Sequence, residues 1–175
     1  MFPEPPSLLA EVASELIEAH LREGQLVRFC VTTRSMVPTL QPGDEVVVAA
    51  QAIGRVPVGS LVVLRRKNSW IVHRLIQRRR AMDGAWLMTT KGDCSSFADP
   101  LWRGGDWVGV ALAVQRGPQS RDLTTLKIRC LGRWIAALSR LESGVCPRAR
   151  SGLGWLARRV LRRTLIWVAM VVYER

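Results

Sequence analysis

Leu8, Leu9, Val12, Leu16, Ile17 and Leu21 recur at the three-and-four spacing of one helix face, with Glu11, Glu15 and Glu18 among the remaining positions. Ser7 stands where an N-cap belongs, and Gly24 stands where such a helix ends. The period then changes. Between about residues 26 and 115 apolar residues gather in short runs: "LVRFCV", "DEVVVAA", "GSLVVLRR", "SWIVHRLIQRR", "AWLMTTKG" and "DWVGVALAVQR". Turn signals separate them at Pro42-Gly43, Asn68-Ser69, Asp83-Gly84 and Gly104-Gly105. Short runs rich in Val, Leu, Ile and Trp at regular turn spacing predict an antiparallel, barrel-like β domain. From about Leu123 helical spacing returns. Leu126, Ile128, Leu131, Trp134, Ile135, Leu138 and Leu141 are interleaved with Lys127, Arg129, Arg133 and Arg140, and Gly144 and Pro147 close the run. A second run from Leu153 to Tyr173 sets Trp155, Trp167 and several aliphatic residues beside Arg158, Arg159, Arg162 and Arg163. The chain is therefore expected to be mainly β, with an N-terminal helix over 1–25, a β-rich domain over 26–116 and a basic helical extension over 117–175.

Charge sharpens the reading of that extension. From Arg116 onward thirteen Lys and Arg face three acids (Asp122, Glu142 and Glu174), a balance of +10 within the chain's +12. Such a segment binds polyanions or an anionic membrane surface, and charge alone does not separate the two. Basic, Trp-bearing amphipathic helices commonly lie in a membrane interface. The expectation is peripheral contact through residues 152–173, or else a cytoplasmic protein whose helix packs on the β domain, with no nucleic acid partner. No stretch reaches the roughly 18 uncharged apolar residues needed to span a bilayer. The nearest, "TLIWVAMVVY", has ten and is flanked by Arg162, Arg163 and Arg175. The first 25 residues carry acids throughout and lack the basic start of a signal peptide.

Cys30, Cys94, Cys130 and Cys146 show no paired spacing, which argues against a metal site or a disulfide framework; buried free thiols are expected instead. Two histidines are present. His20 falls in the first helix beside Glu18 and Arg22 and reads as a surface residue, whereas His73 is embedded in the apolar strand "WIVHRLI". A lone strand histidine is more often a satisfied core group than a base. Its company changes the weighing. Ser35 sits in "TTRSMVPTLQPGDEVVV", on a connection ahead of a strand, while "TTKGD" delivers Asp93 and Asp99 follows six residues later. A serine hydroxyl needs a neighbouring base to become a nucleophile. An imidazole can take its proton, and a carboxylate on the far ring nitrogen fixes the tautomer.

Those segments resemble signal peptidase I. "RSMVPTLQPGDEVVV" is similar to the family's nucleophile box, in which serine is followed by methionine, then proline, then a Gly-Asp turn. "VHRLI" and "TTKGD" with a further Asp resemble the endoplasmic-reticulum-type branch, which uses histidine where most bacterial relatives and the LexA-type repressors use lysine. The resemblance spans about residues 26 to 115. It implies a signal-peptidase/LexA-like catalytic fold and a serine endopeptidase that removes a signal or leader peptide from a precursor, with no cofactor. It makes Ser35 the nucleophile, His73 the general base and Asp99 the orienting carboxylate, with Asp93 as a supporting carboxylate able to exchange roles with it. Thr33 would join the Ser35 backbone N–H in an oxyanion hole, and Met36 would floor the substrate groove. Arg34 replaces the family's usual glycine, and its guanidinium would narrow the cleft or engage an acidic substrate residue. Two alternatives remain. A LexA-type self-cleaving regulator would need a helix-turn-helix, and the first 25 residues supply one helix. A non-catalytic basic binding module would keep Ser35 and His73 without their chemistry.

Overall fold

A computed structural model describes residues 8–66 and 69–144, together with residues 160, 163, 164 and 167. Helix α1 spans Leu8–Arg22 and is followed by Gly24 at φ +79°. Eight strands follow: β1 Val27–Cys30, β2 Glu45–Ala49, β3 Leu61–Arg66, β4 Ser69–Arg80, β5 Trp86–Lys91, β6 Trp102–Arg103, β7 Trp107–Arg116 and β8 Gln119–Asp122. Helix α2, Leu126–Gly144, completes the described fold. The second basic run and the membrane contact expected of residues 152–173 lie outside the described residues, those four positions apart.

All pairings are antiparallel, in the order β1-β2-β7-β3-β4-β5-β6, with β8 added to β7. The six runs read from the sequence become β1 to β5 and β7. The expected barrel does not close among the described residues. One end of the sheet is β1, which pairs only with β2, and the other is β6, which contributes just Trp102 and Arg103. A two-residue strand offers too few ladder bonds to join the ends. Irregularities at Val47/Val48, Val63/Leu64 and Leu75/Gln77 interrupt the ladders, as β-bulges that bend and twist an open sheet do.

Alternation along the strands gives the sheet two apolar faces. One gathers Leu21, Met36, Leu40, Val46, Val48, Leu61, Val63 and Ile135, so α1 and α2 share a core with the sheet. The other gathers Ile53, Val56, Val62, Leu64, Leu75, Met88, Trp102 and Val110. Two contacts clamp α2 in place. Gly59, at φ +99°, meets Gly132 of α2 so closely that a Cβ there would lie 2.4 Å from the Gly132 carbonyl carbon. Only glycine allows both that conformation and that approach. Lys91 at the end of β5 donates to Glu142 of α2, both side chains 1% exposed.

The thiols depart from expectation. Cys30 and Cys130 are exposed and Cys94 is half-buried. Cys30 closes edge strand β1, whose residues alternate between half-buried and exposed, and Cys130 lies on the outward side of α2. Among the described residues no helix is long and apolar enough to cross a membrane.

Candidate active site

The loop between β1 and β2 carries Ser35, and its neighbours make that loop rigid. Met36 and Leu40 insert into the core at 1% and 0% exposure, and the Leu40 N–H donates to the Met36 carbonyl. Asp44 accepts from the Gln41 N–H and from the Arg116 guanidinium at 2.8 Å through both oxygens. Val31 and Asp44 close the base of the loop, with the Val31 N–H donating to the Asp44 carbonyl at 2.8 Å. The apolar residues of "MVPTL" thus fasten a polar turn so that Ser35 is held rather than solvated.

His73 arrives from β4. It pairs with Val62 on β3, while its neighbour Arg74 pairs with Lys91 on β5. Successive strand residues point to opposite faces, so two polar side chains from one strand serve two different places. The His73 Nε2 lies 3.1 Å from the Ser35 Oγ, and the Nδ1 lies 2.6 Å from the Asp99 Oδ2. A carboxylate only accepts, which puts the ring proton on Nδ1 and leaves Nε2 to accept from the serine hydroxyl. The His73 and Asp99 side chains are 9% and 16% exposed.

Asp99 is itself anchored. Its N–H donates to the Thr90 carbonyl, folding the 92–101 loop back over β5. The Thr90 hydroxyl donates to Asp99 Oδ2 at 2.6 Å and accepts from the Trp102 indole N–H at 2.8 Å. Neither Thr90 nor Trp102 was picked out by sequence reasoning. Thr90 falls inside the quoted "TTKGD", but nothing in the sequence singles out Trp102. Gly92, in the same motif, also proves essential to the geometry. A Cβ there would lie 2.6 Å from the Ser35 carbonyl oxygen and 3.2 Å from His73 Nε2. Where Gly92 leaves room, the Cys94 N–H reaches the Ser35 carbonyl at 2.9 Å.

Asp93 stands elsewhere, and its expected place beside the imidazole is corrected. It accepts from Arg74 Nε at 2.8 Å and Nη2 at 2.6 Å, and from the Thr39 hydroxyl at 2.5 Å. Arg74 also donates to the Gly59 carbonyl at 2.7 Å. The chain turns at Gly92, so residue 93 points toward the β4 face that holds Arg74, and His73 belongs to the opposite face.

Beside Ser35 opens a cavity of about 700 Å³. Ile17, Phe29, Val31, Met36, Trp70 and Val72 give it apolar walls, and Thr33, Ser35 and His73 are among its polar lining residues. Met36, expected to floor a substrate groove, is among the lining residues. Arg34 is exposed and is not among the lining residues. The Thr33 Oγ1 lies 3.3 Å from the Ser35 Oγ, close enough for either hydroxyl to donate. His20 is remote from this chemistry: its Nδ1 donates to the Leu16 carbonyl one turn back on α1. Among the described residues no three His, Cys, Asp or Glu side chains converge as a metal site requires. No protein-family model matches the chain, and a search of curated proteins finds no match.

Proposed function

We propose that the protein is a serine endopeptidase of the signal-peptidase type, with a signal-peptidase/LexA-like catalytic fold, that cuts a signal or leader peptide from a precursor. One observation carries the reading: an unbroken, half-buried relay from Ser35 Oγ through both nitrogens of His73 to Asp99, beside a largely apolar cavity. Ser35 attacks the scissile carbonyl carbon as its hydroxyl proton passes to His73 Nε2. The tetrahedral oxyanion takes hydrogen bonds from the Ser35 N–H and the Thr33 hydroxyl. His73 then returns the proton to the leaving amine, the acyl-enzyme remains, and a water activated by the same imidazole hydrolyses it. Asp99 stabilises the imidazolium throughout, and Thr90 and Trp102 keep Asp99 aimed.

The substrate lies extended along edge strand β1, adding a strand to the sheet, with apolar side chains in the cavity of Phe29 and Trp70. Lysine as base, the LexA-type arrangement, finds no support at Lys91, whose ammonium is committed to Glu142. A fluorophosphonate probe tests the reading. The parent should be labelled at Ser35, and Ser35→Ala and His73→Gln should not. A parent that stays unlabelled would place the chain among non-catalytic binding modules.

A further inference from the structure

Helix α2 has two apolar faces, and the sheet uses one. Ile128, Leu131, Ile135, Ala136 and Leu138 face the core, as does Glu142 through its bond to Lys91. Leu126, Trp134 and Leu141 do not; they are 76%, 69% and 58% exposed. Cys130 and Ala137 are exposed as well. At about 100° per residue these five positions fall within a sector of about 80°, one continuous stripe down the outside of the helix. Arg129, Arg133 and Arg140 flank one side of the stripe and Lys127 the other, all four exposed. Glu142 is the only acid in the helix, and it points inward. None of the ion pairs among the described residues involves these four cations.

We propose that this outer face of α2 is a docking surface for an anionic lipid bilayer. An apolar stripe with a tryptophan on it and cations along both margins matches a surface in which negative headgroups adjoin hydrocarbon. A nucleic acid would meet the cations and leave Leu126, Trp134 and Leu141 against water, so it fits less well. The clamps at Gly59–Gly132 and Lys91–Glu142 hold the helix to the sheet, so the stripe is presented rigidly and binding costs no helix formation. The surface is independent of the peptidase reading, because none of its residues lies in the Ser35 relay.

The experiment is flotation of the full chain with vesicles of phosphatidylcholine, with and without phosphatidylglycerol. The parent should float with the anionic vesicles at low salt, stay behind with neutral ones and detach as salt rises. The double variant Trp134→Asp/Leu141→Asp should bind the anionic vesicles about tenfold more weakly or worse. Both side chains are exposed, so its melting temperature should match the parent's. Flotation of that variant equal to the parent's would overturn the proposal and pass membrane contact to another segment. So would a parent that stays behind at low salt, whether because it dimerises through α2 by sedimentation or because it prefers a single-stranded oligonucleotide.

Discussion

Asp93 and Asp99 come from one loop six residues apart, and each closes a bidentate or paired contact with a basic side chain of β4. The partners make them different. Asp93 meets Arg74, a guanidinium that never gives up its proton in a protein, and the pair is 1–2% exposed with Thr39 and Gly59 bonded to it. That node joins the Ser35 loop, β4 and the residue-93 turn, and nothing in it can transfer charge. Asp99 meets His73, whose ring can hold or release a proton, and the other nitrogen of the ring faces a hydroxyl. One carboxylate holds parts together and the other faces a ring that can take up or release a proton. Residue type alone does not tell them apart.

The contrast breaks hardest at Asp99. Asp99→Asn should lower kcat/KM by about 10³–10⁴-fold, because an amide can stabilise the wrong imidazole tautomer. The melting temperature should barely move, which calorimetry on the purified variant would check. Asp93→Asn should do the reverse. It leaves the Arg74 charge buried without its counter-ion, at a cost of about 3 kcal/mol read from denaturant unfolding. Activity per folded molecule should stay within about tenfold of the parent. A rate loss at Asp93 exceeding that at Asp99 would exchange the two roles.

A finer test concerns pH. The base works only while Nε2 is unprotonated, so the parent's rate should fall as pH falls. A rate that does not change with pH would argue against an imidazole base. The smallest effect is expected at Thr90→Val, which removes one donor from Asp99 and leaves the Trp102 N–H unpaired. A loss of about 10-fold to 100-fold in kcat with KM unchanged would mark Thr90 as a positioning residue.

That Ser35, His73 and Asp99 come together was legible because each sits in a short, recognisable segment. The choice between the two aspartates was not. It depends on the turn at Gly92 and on which face of β4 each neighbouring side chain takes, and spacing does not encode that. Trp102 escaped notice because its role follows from the two-residue pairing of β6 with β5. Strand β8, "QSRD", has no apolar residue to announce it; it forms by extending the β7 hairpin past Gly117 at φ +56°. In α2 helical spacing collected every apolar residue into one set, and only docking on the sheet divides Ile135 from Trp134. Barrel closure was over-read for a related reason. Strand patterns speak of faces, while closure is decided at edges, and here one edge is two residues long.

The ion pair between Lys91 and Glu142 limits how the chain can be cut. A fragment ending at Arg116 would retain every member of the relay, yet it would remove Glu142, the partner of the Lys91 ammonium. The same excision would uncover the Gly59 backbone and the apolar surface under Ile135. The smallest piece able to stand alone therefore runs at least to Glu142, and α2 is as much a wall around the Ser35–His73–Asp99 domain as any strand.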